Sequence, residues 1–234
     1  MMLEVSDQTI IMFGAGGHAK SVISVLQAQA RWQLAGLLED GAREMERQVL
    51  GYPVLGDQGQ LDRLRKAGIT KAMVAIGDNT VRGRLADVIV DRGFELVSII
   101  HPTACLMTDC VVEQGAFLHV LSVIGPECRV GRNTIVQPYT SLGHEGRIGD
   151  CVQFCPGVHV GGKAMIGDFC FFGPGAVVYP GVKIGCNVEV GANSVINKDV
   201  PDHVVVVGNP ARVIRRGDAS QVIDQPPSIS LKGS

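Results

Sequence analysis

Aromatic residues are scarce in this chain, at 5%, so its core cannot be a conventional aromatic-rich sandwich. Charge is scarce too: charged residues make up 19%, with a net charge of -2 and an isoelectric point near 6.3. A nucleic-acid-binding domain would usually be basic, so the balance argues against that class. No apolar run reaches the roughly 18 residues that a membrane span needs. The first residues, MMLEVSDQTI, lack a basic segment followed by a long apolar one, so no signal peptide is expected. Seven cysteines are present (105, 110, 128, 151, 155, 170, 186), but none form a CxxC pair. Their spacings fit no zinc finger or ribbon, so no metal is expected, and they read as reduced thiols of a cytoplasmic protein. What is abundant is glycine, 30 of 234 residues, against a usual share of about 7%. Without a collagen period or low complexity, this suggests a fold with many regularly spaced tight turns.

The chain changes character near residue 101. Before it, apolar runs alternate with helical patterns. TIIMF (9–13) leads through GAGGHAK into SVISVLQAQA, whose Val22, Ile23, Val25 and Leu26 follow a helical period. QLAGLL ends in Glu39 and Asp40, a polar helix is expected near Gln58 to Ala67, and KAMVAIGDN ends in a turn. TVRGRLADVIVDRG reads as a helix closed by Gly93, and FELVSII as a last strand. This βαβ alternation predicts a small parallel, Rossmann-like sheet. Gly14, Gly16 and Ala19 match the G-x-G-x-x-A dinucleotide fingerprint, and Glu39 and Asp40 stand where a ribose-binding acid belongs. A nicotinamide-dependent reductase fits poorly. About one hundred residues make only one mononucleotide half, and no Tyr-x-x-x-Lys pair follows. Another nucleotide ligand is the favoured reading, with a structural turn as the bland one.

From Leu106 the chain repeats with period six. Every sixth residue through Ile196 is aliphatic or Phe, sixteen positions without a miss. Four residues after each anchor stands a small or β-branched residue, and one residue after it Gly appears nine times. Period six does not match the 3.6 of a helix. It does match a three-sided coil of eighteen residues per turn, stacked at about 4.8 Å. Sixteen hexads make roughly five coils, with Gly, Asp and Asn at corners where φ turns positive.

The pattern [LIV]-G-x-x-[small]-x, strongest in VGRNTI, IGDCVQ, VGGKAM, FGPGAV, IGCNVE and VGANSV, resembles the hexapeptide-repeat acyltransferases. With GAGGHAK, IGDN at 76–79, HPTA at 101–104 and the ending VVGNPARVIRR, the chain to about Arg216 resembles the two-domain sugar acyltransferases. These include bacillosamine and perosamine N-acetyltransferases and sialic acid O-acetyltransferases. The resemblance implies a left-handed parallel β-helix over 101–216, after a Rossmann-like nucleotide-sugar-binding domain over 1–100. It also implies a homotrimer with sites between neighbouring β-helices. The polar segment 217–234 reads as a disordered tail.

Acyl transfer to an amine or hydroxyl needs a base beside the nucleophile. Of six histidines, His101 reads as structural, and His119, His159 and His203 as solvated corner or tail residues. His18, in the glycine loop, is either a nucleotide contact or a packing residue. His144, followed by Glu145, reads on its own as a solvated corner. The resemblance implies instead that His144 is the catalytic base and Glu145 its partner. It further implies nucleotide-sugar contacts from Gly14, Gly16, Gly17, His18, Glu39, Asp40, Gly77, Asp78 and Gln137. For acetyl-CoA, the co-substrate, it implies Gln153, Gly162, Pro174, Ala192 and Arg212, with Gly162 as the oxyanion donor. Two departures stand out. Gln153 replaces a second His of many relatives and cannot become a cation. Gln137 stands where some relatives have Asn. The expected reaction is acetyl transfer from acetyl-CoA to a nucleotide-linked 4-amino-4,6-dideoxy sugar, or alternatively O-acetylation of sialic acid or a related sugar.

Overall fold

A computed structural model describes residues 5–41 and 47–217. Residues 218–234, most of the expected disordered tail, lie outside the described ones. The chain opens with β1 (Thr9–Phe13), α1 (Gly17–Gln29) and β2 (Gln33–Leu38). A two-stranded hairpin of β3 (Gln48–Val49) and β4 (Tyr52–Pro53) follows, then α2 (Leu61–Lys66), β5 (Lys71–Val74), α3 (Asn79–Asp91) and β6 (Glu95–Leu96). The main sheet is parallel, in order β2-β1-β5-β6. β1 is buried along its whole length, as a central parallel strand covered on both faces should be.

FELVSII is not one strand. Glu95–Leu96 closes the sheet, whereas Ile99–Ile100 pairs with Phe117–Leu118 and belongs to the next architecture. The six-residue spacing thus runs back one step before Leu106, to Ile100, and the coil begins earlier than the sixteen anchors indicate.

From Ile99 the chain is a three-sided β-solenoid. Two-residue strands eighteen residues apart stack in parallel, so that Phe117 pairs with Ile135, Ile135 with Gln153 and Gln153 with Phe171. We call the three sides face C (from Ile99), face D (from Cys105) and face E (from Val111). They hold eight, six and five strands, the eight including a closing antiparallel pair, Val204–Val207 with Arg212–Arg216. The anchors point inward. Leu118, Ile124, Val130, Val136, Phe154, Phe172 and Val190 have no exposed surface. Burying each contributes about 1.5–3 kcal/mol. Phe154 and Phe172 stack inside the coil with centroids 4.8 Å apart, so the interior admits aromatics in two successive turns. The second inward series includes hydroxyls that bond backbone carbonyls, such as Thr134 Oγ1 to Gly149 O (3.0 Å) and Thr140 Oγ1 to Cys155 O (3.1 Å).

Glycine has a different cause from the one expected. Positive φ falls on the third residue of each corner, filled by Asp109, Leu121, Tyr139, Glu145, Cys151 or Phe169 as readily as by glycine. The repeated glycine stands two residues earlier, with ordinary φ. There the next coil passes too close for a side chain. A Cβ on Gly161 would lie 2.5 Å from the Pro180 nitrogen, and one on Gly125 2.7 Å from the His144 nitrogen.

The first domain sits on face C. Phe117 and Ile135, outward on that face, share a core with α1. The Ser21 hydroxyl accepts from His119 Nε2 at 3.0 Å, at the corner between faces C and D. α3 rests on the other corner of the same face, beside Cys151 and Phe169.

Candidate active site

The corner between faces D and E carries His144. Its Nδ1–H donates to Glu145 Oε2 at 2.9 Å, which leaves Nε2 as the basic nitrogen. That hydrogen bond, with Lys163 Nζ 3.7 Å from the same carboxylate, holds Glu145 below the usual carboxylate range. The imidazole lies against Gly162, one coil further on, where a Cβ would come 2.6 Å from His144 Cδ2.

Gly162 is also a free donor. Prolines 126 and 180 stand at the matching position two coils before and one coil after, which shows that this N–H has no place in the ladder. Among the described residues the Gly162 N–H has no acceptor. A base, its carboxylate partner and an unpaired N–H thus meet at one corner. This is the minimum set for proton removal beside a developing oxyanion.

The glycine loop is open, with its first N–H groups uncapped by any side chain. Gly14, at φ +116, lets the chain turn where a Cβ would strike Ala75 O at 2.5 Å. Gly16 caps α1 without a side-chain bond, and side chains at Gly16, Gly17 or Gly77 would meet open space. The N–H groups of the first turn of α1 are thus left without a partner among the described residues. His18 stacks edge-on against Phe117, with its Nε2 buried and unpartnered among the described residues. Burial, then the charges of Arg82 and His119, push its pKa down to about 4, so the ring is neutral at pH 7. Glu39 is paired with Arg47, whose Nη2 also donates to Ala15 O at 3.1 Å. Arg47 carries no motif, and the sequence reading missed it. Lys163 was missed as well, although its place eighteen residues after Glu145 could have revealed it. Asp78 caps α3 through Val81 N at 2.8 Å.

The single chain does not bring all the expected residues together. Gln137, Pro174 and Ala192 line the corner between faces C and D, Gln153 faces outward on face C beside the Cys155 thiol, and Arg212 is exposed in the closing pair. His144, Glu145 and Gly162 occupy the corner between faces D and E. His101, expected to be structural, binds Thr103 through Nδ1 at 2.9 Å. Among the described residues no cluster of His, Cys, Asp and Glu could hold a metal, and no helix is long and apolar enough to cross a membrane.

Residues 9–89 match the PglD N-terminal domain family, and residues 163–198 match the bacterial transferase hexapeptide family. The fold superposes on a perosamine N-acetyltransferase variant of Caulobacter crescentus, in complex with CoA and GDP-perosamine, with TM-score 0.86 and 33% identity. That match covers 92% of this chain and all of the other. The chain belongs to the two-domain hexapeptide-repeat sugar acyltransferases. Within that family it is also similar to the acetyltransferase domain of PglB from Neisseria gonorrhoeae, in complex with acetyl-CoA, at TM-score 0.83 and 28% identity over 89% of this chain and 100% of that one. WeeI of Acinetobacter baumannii matches at TM-score 0.78 and 26% identity, covering 88% and 99%. Among curated sequences, galactoside O-acetyltransferase of Escherichia coli is 54% identical over 39 residues, 17% of this chain and 19% of that protein. The chain spans about a fifth of the length of the curated relatives it matches.

Proposed function

We propose that this chain transfers acetyl from acetyl-CoA to the amine of a nucleotide-linked 4-amino-4,6-dideoxy sugar. The single observation that carries the proposal is the His144–Glu145 pair set over the unpaired N–H of Gly162. The amine nitrogen attacks the thioester carbonyl while His144 Nε2 accepts its proton. The carbonyl oxygen takes negative charge and is met by the Gly162 N–H. The C–S bond then breaks, and the proton on His144 passes to the leaving thiolate to give free CoA. Glu145 holds the ring in the tautomer this requires and stabilises it when charged.

The N–H groups at Gly16 and Gly17 suit a diphosphate, and Glu39 and Asp40, with Gly77 and Asp78, suit a ribose or base edge. Residues 1–100 would then hold the nucleotide sugar, with Gln137 at the sugar. Residues 101–216 would hold acetyl-CoA through Gln153, Pro174, Ala192 and Arg212. Because these residues occupy a different edge of the solenoid from His144, a complete site needs a second copy. Face D bears Cys105, Val123, Ser141, His159, Val177 and Val195 outward, with no Asp, Glu, Lys or Arg. Face E bears Arg129, Arg147 and Lys183. A face D without Asp, Glu, Lys or Arg suits packing about a threefold axis, and a trimer built that way sets the His144 edge of one copy against the nucleotide edge of its neighbour.

The test is acetyl-CoA offered with UDP-, GDP- and dTDP-linked 4-amino sugars and with free sialic acid, followed by CoA release. Turnover with one of the nucleotide amino sugars is expected. Turnover with sialic acid alone would replace this reading by O-acetylation.

A further inference from the structure

Arg82 has no exposed surface, yet it lies between the two domains rather than inside either. A guanidinium has five N–H bonds, and all five are used. Nε donates to Asn133 O at 2.7 Å, and Nη2 to Cys151 O at 3.0 Å and Asn79 Oδ1 at 2.6 Å. Nη1 donates to Ile76 O at 3.0 Å and Gly77 O at 2.9 Å. Asn79 extends the contact by donating Nδ2 to Phe169 O (3.3 Å) and Cys170 O (3.0 Å). Among the described residues no carboxylate bonds this cation; carbonyl and amide oxygens satisfy it. Burial pulls its pKa down to about 10, which still leaves it charged at neutral pH. A buried cation without a paired carboxylate is costly, and apolar packing would close a domain interface more simply.

The acceptors explain what the charge does. Asn133, Cys151, Phe169 and Cys170 belong to three successive coils at the corner between faces E and C. Ile76 and Gly77 form the loop after β5, and a side chain on Gly14 would press on Ala75 and Ile76. The fork therefore ties the floor of the glycine loop to the solenoid. α1 makes the opposite tether through Ser21 and His119. Resting on the functional reading above, we infer that Arg82, with Asn79, is a positioning residue that sets the nucleotide-sugar loops on the solenoid so that they meet the acetyl-transfer edge of the neighbouring copy.

Arg82→Lys keeps the charge but not the planar fork. With the full chain, kcat/KM for the nucleotide amino sugar should fall about 10- to 100-fold, while the KM for acetyl-CoA stays within about two-fold. Asn79→Ala should move the same parameters in the same direction by less, and it carries the test if Arg82→Lys does not fold. Cys151, only 3% exposed and packed beside Gly83, reports interface opening without any turnover. Its maleimide labelling, followed by mass spectrometry, should accelerate about ten-fold or more in Arg82→Lys. Faster labelling with unchanged sugar kinetics would reduce the fork to a structural clamp and overturn the inference, as would unchanged labelling. A wild-type chain inactive on every amino sugar would remove the functional reading alone. Calorimetry with GDP, UDP and dTDP then decides the inference: weaker binding by Arg82→Lys supports it, and equal affinity overturns it.

Discussion

Replacing Gly162 by alanine puts one methyl group under the imidazole of His144. The new Cβ would stand 2.6 Å from His144 Cδ2 and Cε1, whereas carbon atoms rest at about 3.5–4.0 Å. The ring must therefore move by about 1 Å. The His144 side chain is 57% exposed, so it can swing outward instead of forcing the coils apart. Gly162 has no positive φ, so alanine is tolerated by the backbone. The fold should survive, with Tm within about 2–4 °C of wild type. Misplacing a base by about 1 Å costs on the order of 100-fold. We expect kcat to fall by about that factor while the KM for acetyl-CoA changes little. Initial rates of CoA release, with thermal unfolding of the same sample, measure both. A Gly162→Ala enzyme with kcat within three-fold of wild type would refute the placement of the ring. A collapse in Tm would show that the clash is absorbed by the coils and not by His144.

Other outcomes follow from neighbouring features. Gln153→Ala removes one hydrogen bond worth about 1 kcal/mol, so the KM for acetyl-CoA should rise about five- to ten-fold with kcat nearly unchanged. His18 has a folded pKa near 4 against 6.5 unfolded. Between those values the unfolded state binds the proton, so stability rises with pH through this window. Wild type should lose about 2 kcal/mol between pH 7 and pH 5 in urea unfolding, and His18→Gln should lose less by about that amount. Co-expressed His144→Ala and Gly17→Asp copies should recover about a quarter of wild-type activity, because random mixing completes one shared site in four. No recovery would mean that each site lies within one copy.

Much of this was legible in the residues, and the failures have physical causes. The solenoid followed from period six because each two-residue strand must bury one side chain, and that constraint recurs at every corner. The glycines were visible but their cause was not. Close approach of the next coil is a tertiary fact, and Glu145 and Tyr139 occupy the positive-φ positions without a glycine signature. FELVSII was read as one strand because its apolar run does not stop where the fold passes from sheet to solenoid. His144 was ambiguous as an isolated His-Glu pair. Only the family resemblance pointed to it as the base, and the eighteen-residue spacing that offered Gly162 as its neighbour is seen in the contact between that glycine and the ring. Arg47 and Arg82 carried no local signal, because their partners lie in other segments of the chain.

The most direct test of the central claim uses wild type and His144→Ala with acetyl-CoA and the nucleotide-linked 4-amino sugar, with the product identified by mass spectrometry. Wild type should yield one acetyl group on the sugar nitrogen and one free CoA per turnover. His144→Ala should yield the same product at least 100-fold more slowly, with acetyl-CoA affinity retained. A His144→Ala enzyme as fast as wild type, or an acetyl group on oxygen, would contradict the account.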